Sequence, residues 1–450
     1  MLKQLVCSTV LACSFGAHAN DWQREFFSSI SNELPKSRGV AVDELGFVHL
    51  QAYNRYTVGV PAYFLAHQYT IRSDGQIPWG WGLSEVDRMS NCGVYAKAGQ
   101  RLDCKRSTGF WGEETRLEMR GSNNGYVVWE NTLPGDVTLL AASIPQQNQA
   151  LVLGRLDSPQ GVQLGVYRVD SQWPAYILSL APACAHSGET LLALRATMPQ
   201  QPGEPIRAVK ACLNSFGSVY LKLEKFDLQS GVWSTDSTWA MPFNSWVTHM
   251  AISPQGQPYV MAEDDKGIRS LLTVPEITGQ WLPVPVPIQD KVSGFLVGHR
   301  GLVIVNVSRR DGQFSDYLIG SNPEYSISWF DDGAFWPIIH HFGEFEDLSV
   351  KAFALSSDGD VIVLGSPMYT PAGIDRLLLA RRDRQLQLIG ISSLWPNETA
   401  VGTTYLIGGP NNTAVVARTI ARDQGFGNSQ IGVRVNQYDL PPTMIASKHR

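Results

Sequence analysis

Short apolar runs alternate with polar residues along the chain and are interrupted by turn-forming residues. One unit recurs as an apolar run, a turn of Gly, Asp, Asn or Pro, and a second apolar run, most clearly at 39–52, 250–262, 353–365 and 404–417. Alternation with a period of two is typical of half-buried β-strands, and these turn residues supply the backbone angles of a tight reversal. The pattern therefore predicts a succession of β-hairpins.

The hairpins recur at a regular distance. Their predicted turn centres are about 52 residues apart on average and are Gly46, Gly99, Asn148, Gly203, Gly256, Gly301, Gly359 and Asn412. In four of the periods a second hairpin that re-enters with a Trp is evident, at 69–82, 117–129, 223–234 and 272–281. Two hairpins per period make four antiparallel strands, the content of one propeller blade. We expect an all-β β-propeller of eight four-stranded blades, with seven blades as the alternative if 83–112 is an insertion.

The two ends of the chain bear on how such a ring closes. The last period, from about residue 404 onward, shows three apolar strands and no clear fourth. Residues 34–42 are the candidate for the missing strand, which would remove the exposed sheet edge. Residues 21–34, rich in Ser and Glu, predict a short helix before it.

The first nineteen residues have the three parts of a secretory leader. Lys3 is the basic residue, an apolar stretch follows, and Ala17-His18-Ala19 is a cleavage motif before Asn20. We expect residues 1–19 to be removed and residues 20–450 to form one propeller domain. An alternative is lipid anchoring at Cys13, because Val10-Leu11-Ala12 before it resembles a lipobox. The mature chain has no apolar run long enough to span a bilayer.

Four cysteines remain after the leader: Cys92, Cys104, Cys184 and Cys212. An even number in an exported chain predicts disulfides, and sequence proximity favours Cys92–Cys104 and Cys184–Cys212, each within one repeat. Zinc binding is the alternative, but the chain has no C-x-x-C spacing.

Charge argues against nucleic acid as a partner. The chain has 36 basic and 41 acidic residues, a net charge of −5, and no Lys/Arg-rich stripe. Binding to nucleic acid depends on phosphate neutralisation.

The hairpins at 43–50 and 74–79 resemble the blades of secreted bacterial β-propeller repeat proteins, through a D-x-x-G-x-V-x-L and a D-G-x-x-x-W pattern. The resemblance implies a fold and no activity. Quinoprotein dehydrogenases also have eight blades, but their T-G-x-x-x-W repeat is absent, and only 278–281 (TGQW) comes near it. We therefore predict no cofactor.

Candidate chemistry is expected in the links between hairpins, since loops on a rigid frame usually carry function. The long link 328–348 contains Asp331, Asp332, His340, His341 and Glu344. Imidazoles and carboxylates are ligands for a divalent metal and are also acid–base groups. The alternative is a packed acidic loop, because adjacent residues in a strand point in opposite directions.

Four shorter polar links lie on the same predicted face. Their candidate ligand-binding residues are Trp111, Asp264, Asp265, Arg309, Arg310, Asp311, Arg422 and Asp423. The guanidinium groups of arginine and exposed Trp side chains are suited to binding sugars or anions. The simpler interpretation is that these are ordinary charged residues of solvent-exposed loops.

No catalytic or nucleotide-binding motif is present, neither a G-x-S-x-G elbow nor a phosphate-binding or dinucleotide-binding glycine loop. The sequence favours an exported binding or scaffold propeller of the bacterial envelope or exterior, with a protein or glycan as partner. A hydrolase or lyase with its site at the central mouth of the ring is the alternative.

Overall fold

A computed structural model describes most of the chain. The described residues are 21–27, 31–33, 39–55, 64–86, 90–109, 112–159, 161–172, 174–186, 188–242, 244–253, 255–274, 279–285, 291–298, 301–310, 313–320, 338–341, 348–367, 377–382, 388–394, 399–423 and 429–440. They form strands and turns, and none of them lies in a helix that is long and apolar enough to cross a membrane.

The strands within the described residues form eight antiparallel sheets, numbered here in chain order. Sheet 1 contains β2 (Ser31–Glu33), β3 (Val40–Val42), β4 (Val48–Arg55), β5 (Phe64–Ile71) and β6 (Trp79–Val86). Sheet 2 contains β7 (Ser90–Lys97), β8 (Gln100–Gly109), β9 (Gly112–Gly121) and β10 (Val127–Thr132). Sheet 3 contains β11 (Val137–Gln146), β12 (Gln149–Ser158), β13 (Gly161–Val169) and β14 (Tyr176–Pro182).

The next three sheets follow the same order from first to fourth strand. Sheet 4 contains β15 (Thr190–Thr197), β16 (Ile206–Leu213), β17 (Val219–Asp227) and β18 (Val232–Ala240). Sheet 5 contains β19 (Trp246–Ile252), β20 (Pro258–Glu263), β21 (Arg269–Thr273) and β22 (Leu282–Pro285). Sheet 6 contains β23 (Lys291–Gly298), β24 (Gly301–Arg310), β25 (Gln313–Gly320) and β26 (Ile338–His341).

The last two sheets differ in how they are completed. Sheet 7 contains β27 (Leu348–Leu355), β28 (Val361–Pro367), β29 (Leu377–Arg382) and β30 (Leu388–Leu394). Sheet 8 contains β31 (Thr399–Gly409), β32 (Thr413–Asp423), β33 (Ser429–Asp439) and, at its outer edge, β1 (Trp22–Phe27).

The sheets are arranged as a β-propeller. Each sheet contacts the next along the chain, mostly through the first strands of both sheets. Sheet 3 contacts sheet 4 through β13 and β15, and sheet 8 contacts sheet 1 through β31 and β3. The apolar core lies between neighbouring sheets. One buried cluster joins sheets 2 and 3 around Leu117 and Val152, and another joins sheets 4 and 5 around Val209 and Val260. This radial packing buries the facing sides of those neighbouring sheets.

The first turns of the sheets other than sheet 6 lie where the sequence pattern predicts them. In sheet 6 the predicted turn centre Gly301 is the first residue of β24, and the residues before it lie outside the described part of the chain. Asn148 and Asn412, for example, have φ of +59° and +58°, the left-handed conformation that Asn tolerates and that a tight hairpin needs. In sheet 1 the first strand is interrupted, since β2 and β3 pair with different parts of β4.

The ring closes through the N-terminal segment, but not through the residues predicted. Strand β1 pairs with β33 in antiparallel register from Trp22↔Gln437 to Phe27↔Gly432. The expectation of a helix at 21–34 is therefore wrong, because the first part of that segment pairs as a strand. The expectation that 34–42 supplies the closing strand is also wrong, since β3 is an inner strand of sheet 1.

Candidate functional site

The antiparallel order of the strands gives the ring two faces. Turns between the first and second strands and between the third and fourth lie on one side, which we name the hairpin face. Turns between the second and third strands and the links between sheets lie on the other, which we name the link face. The predicted ligand-binding candidates of the short links belong to the link face.

The long segment 328–348 is not one continuous link. Strand β26 occupies its middle, so His340 and His341 lie at the outer edge of sheet 6, opposite Leu318 and Tyr317. An outermost strand is remote from the axis of the ring, which places these two residues away from the central mouth. Asp331, Asp332 and Glu344 lie outside the described residues, so the metal and acid–base roles predicted for them stay predictions.

Two arginines and a carboxylate predicted on the link face fall at strand ends. Arg309 and Arg310 end β24, and Asp423 ends β32. Trp111 and Asp311 lie outside the described residues. Across the described part of the chain, no three His, Cys, Asp or Glu side chains come close enough to hold a metal ion.

Arg422 has a structural partner. Its guanidinium forms an ion pair with Glu25 of the closing strand and lies 4.4 Å from the ring centroid of Phe27. Arg434 donates to the same carboxylate at 2.6 Å. Burial raises the pKa of Glu25, but the two guanidiniums outweigh it and hold that pKa below its usual value. Arg422 therefore fastens β1 to the ring.

Asp264 and Asp265 belong to the turn between β20 and β21. The Asp264 carboxylate accepts hydrogen bonds from the backbone N–H groups of Lys266 at 2.9 Å and Ile268 at 2.8 Å, so it shapes the turn. Asp265 is exposed and accepts a hydrogen bond of 3.4 Å from Asn244 in the preceding link. Of the two, Asp265 is the one open to a ligand.

Beside this turn, large apolar side chains are exposed on the link face of sheets 4 and 5. Phe216, in the turn between β16 and β17, is 87% exposed, and Ile268 is 59% exposed. Trp246, which begins β19, is 44% exposed, and Leu192 of β15 is similarly open. We name these four residues the apolar patch. Sequence reasoning missed it because an apolar residue in a turn does not reveal whether tertiary structure covers it.

The hairpin face contains a buried polar centre that superficially resembles a catalytic triad. His49 contacts Asp43 at 3.3 Å, Thr70 at 3.2 Å and Ser122 of sheet 2 at 3.4 Å. His49 and Asp43 are completely buried, and burial lowers the pKa of His49. With no access for a substrate, the group links sheets 1 and 2 and has no catalytic geometry.

One predicted disulfide is confirmed. Cys184, in the link between sheets 3 and 4, is bonded to Cys212 of β16. The bond fastens that link to the sheet that follows it. Cys104 of β8 is also disulfide-bonded, and Cys92 lies in the neighbouring strand β7. The Cys92–Cys104 pairing itself stays a prediction.

Comparison with known proteins gives likeness of fold only. No family model matches the chain, and no curated protein sequence matches it. Among solved structures, the chain is similar to the WD40 domain of SCAP from fission yeast, at 9% identity and a TM-score of 0.49, over 93% of this chain and 98% of that one. It is similar to Sqt1 of Chaetomium thermophilum at 12% identity and a TM-score of 0.46, over 94% and 99%. A puromycin-hydrolyzing peptidase of Mycobacterium tuberculosis matches at 12% identity and a TM-score of 0.40, over 76% of this chain and 52% of that one.

Proposed function

We propose that this protein is an exported β-propeller that binds a protein partner of the bacterial envelope or exterior through the apolar patch. The observation that carries the proposal is the exposure of Phe216, Ile268 and Trp246 on the link face of two adjacent sheets. Loops on that face of a rigid ring are suited to recognition, because they vary without disturbing the core.

The apolar patch has the composition of a binding site. Exposed apolar side chains that occur singly are ordinary, but a group of them on one face marks an interaction surface. Trp and other large side chains at the centre of interfaces supply most of the binding free energy when a partner covers them. Phe216 in particular has no packing role in the turn that presents it, since its side chain is almost fully open to solvent.

Charge next to the patch indicates the chemistry of the partner. Asp265 is exposed beside Ile268, and Glu189 lies in the link that leads to β15. Burial raises the pKa of Glu189, but hydrogen bonds from the Tyr220 hydroxyl and from the His186 and Ala185 backbone outweigh it and lower that pKa. Glu189 is therefore ionised at neutral pH. We propose a partner that inserts an apolar side chain flanked by Lys or Arg, because complementary charge selects and orients partners.

We propose that each of the eight sheets is one blade of the ring. The order of the sheets along the chain and the contact between sheets 8 and 1 support this count. We also propose that residues 1–19 are a leader removed before Asn20, and the Cys184–Cys212 disulfide supports an oxidising compartment. N-terminal sequencing of the mature protein tests the leader: a start at Asn20 is expected, and a lipid-modified Cys13 would contradict it.

Site-specific photo-crosslinking tests the binding proposal. A photoreactive phenylalanine replaces Phe216 in one variant and Val232, which is 58% exposed on the rim strand β18, in a matched control. We expect one protein of the native envelope or culture medium to cross-link at 216 and not at 232. The purified partner should then bind the Phe216→Ser/Ile268→Ser variant at least tenfold more weakly than the unsubstituted chain.

Three outcomes would contradict the proposal. The same products at positions 216 and 232 would mean non-specific contact. Cross-links to a second copy of this chain would assign the patch to self-association. Unchanged affinity of the purified partner for the double variant would show that the patch is not the binding surface. Unchanged melting temperature of the double variant would establish that any loss of binding is not a loss of folding.

A further inference from the structure

A cavity of about 400 Å³ lies at the axis of the ring, on the side of the hairpin face. Its walls are the ends of the inner strands β31, β3, β7 and β11, where each strand approaches its first turn. It is therefore separate from the apolar patch, which lies on the opposite face of sheets 4 and 5. Its volume is in the range that accommodates a small organic molecule.

The cavity wall is part apolar and part polar. Val94, Ile144 and Ile407 contribute branched side chains from three different strands, and alanines occupy much of the remainder. The apolar part of the wall suits the apolar body of a ligand, and the polar part can form hydrogen bonds with a polar end. The wall therefore suits a ligand with an apolar and a polar part, without selecting the charge of the polar part.

A single ammonium lies in the lining of the cavity. Lys97, the last residue of β7, donates a hydrogen bond to the backbone carbonyl of Gln200. An ammonium has three donors, and none of the described carboxylates forms an ion pair with Lys97. A positive charge in the lining of the cavity favours an anionic head group.

A buried hydroxyl provides an independent indication. Ser143 of β11 lines the cavity and is buried, yet among the described residues its Oγ has no hydrogen-bond partner. Buried hydroxyls are rarely left unpaired, because the loss of water is not compensated. A ligand with a polar end in the cavity would supply the missing partner.

We propose that the axial cavity binds an amphipathic monoanion, with a hydrophobic body against the inner strands and a carboxylate held by Lys97 and Ser143. This site differs from the protein-binding surface in position and in chemistry. Neither proposal depends on the other.

Three probes with the same ten-carbon tail test it by calorimetry: decanoate, decanol and decyltrimethylammonium. We expect decanoate to bind most tightly and decyltrimethylammonium most weakly. Lys97→Gln should weaken the binding of decanoate about tenfold, the effect of one charge-assisted hydrogen bond, and leave the binding of decanol unchanged. Lys97→Arg should retain most of the affinity, and Lys225→Gln, far from the cavity on β17, should change nothing.

Two further variants separate binding from folding. Ala96→Phe should fill the cavity and abolish binding of decanoate and decanol while the melting temperature stays within a few degrees. Ser143→Ala should weaken decanoate yet raise the melting temperature of the unliganded protein, by about 1–2 °C, because it removes an unpaired buried hydroxyl. Equal binding of decyltrimethylammonium, or decanoate affinity that neither Lys97→Gln nor Ala96→Phe changes, would overturn the proposal.

Discussion

Two turns of this propeller share one local structure and differ in their surroundings. In the turn at 43–47, the Asp43 carboxylate accepts hydrogen bonds from the N–H groups of Leu45 and Phe47 at 3.0 and 2.9 Å. In the turn at 264–268, the Asp264 carboxylate does the same for Lys266 and Ile268, at 2.9 and 2.8 Å. The fourth residue is a glycine with φ of +81° in one turn and +76° in the other.

The surroundings of the two turns are opposite. The first lies on the hairpin face, where Phe47 is 9% exposed and Asp43 also contacts buried His49. The second lies on the link face, where Ile268 remains mostly open. A turn whose side chains are covered by neighbouring sheets stabilises the ring, whereas the same turn left uncovered is free to recognise a partner.

Removing the Asp carboxylate should produce the largest difference in stability between the two turns. Asp43→Ala deletes two backbone hydrogen bonds and leaves His49 buried with fewer partners, so we expect about 3–5 kcal/mol of destabilisation. Asp264→Ala should cost about 1 kcal/mol, because water replaces its carboxylate. Urea denaturation of both variants measures the difference, and equal values would contradict the comparison.

Truncating the last side chain of each turn should produce the second-largest difference between them. Phe47→Ala leaves a cavity between sheets and should destabilise the protein by about 2–4 kcal/mol. Ile268→Ala should change the free energy of unfolding by less than about 0.5 kcal/mol but weaken binding of the partner. Thermal denaturation and partner affinity, measured on the same samples, test the expected changes in stability and in binding. A loss of stability in Ile268→Ala would mean that this residue packs against the ring.

Adding a Cβ to the glycines should have a smaller effect. Both glycines have positive φ, so alanine at either position introduces backbone strain of about 1–2 kcal/mol. At Gly46 the new methyl would also lie 3.3 Å from Ser73 Cβ, whereas nothing lies within 4 Å at Gly267. Gly46→Ala should therefore be the more destabilising of the two in urea denaturation. The reverse order would show that the ring adjusts around Gly46.

The smallest effect is a dependence of stability on pH. Burial lowers the pKa of His49; nearby Arg101 also lowers it, while Asp43 and Asp103 oppose this. Below the ordinary value of 6.5 the unfolded chain takes up a proton that the folded chain resists. The contribution of His49 to the free energy of unfolding is therefore present above pH 6.5. It is lost as the pH falls below that value, by at most about 1.4 kcal/mol per pH unit.

Denaturation at pH 7.5 and 5.5 measures this loss. His49→Gln should reduce the slope of the free energy of unfolding against pH. His249, whose pKa is also lowered by burial and by Arg269, should continue to contribute in that variant. Thr70 and Ser122 complete the contacts of the His49 ring and do not titrate in this range. An unchanged slope in His49→Gln would show that the pKa of His49 is the same in the folded and the unfolded protein.

Much of the fold could be read from the sequence because its hairpins are local. Gly and Asn at 46, 148 and 412 mark turns whose backbone angles few other residues adopt. The closing strand could not be read in this way. Trp22–Phe27 alternates too little to be recognised as a strand, and its partner β33 is about 400 residues away in the chain.

The candidate site was harder to predict for a related reason. Asp264 and Asp265 lie on a link-face turn, as the sequence pattern predicts. A prediction based on charged residues does not include the apolar residues Phe216 and Ile268 nearby. Hydrophobic residues are usually buried, and only the arrangement of neighbouring sheets decides whether a given one is covered. The carboxylate of Asp264, meanwhile, is mostly engaged with its own backbone.

The sequence by itself determined the succession of hairpins, the positions of their turns and the proximity of Cys184 and Cys212, since each depends on residues close together in the chain. Tertiary structure decided which strand closes the ring, which of two like turns is buried, and that a cavity with Lys97 in its lining lies at the axis. These features arise from contacts between distant sheets, and such contacts leave no periodic signal in the sequence.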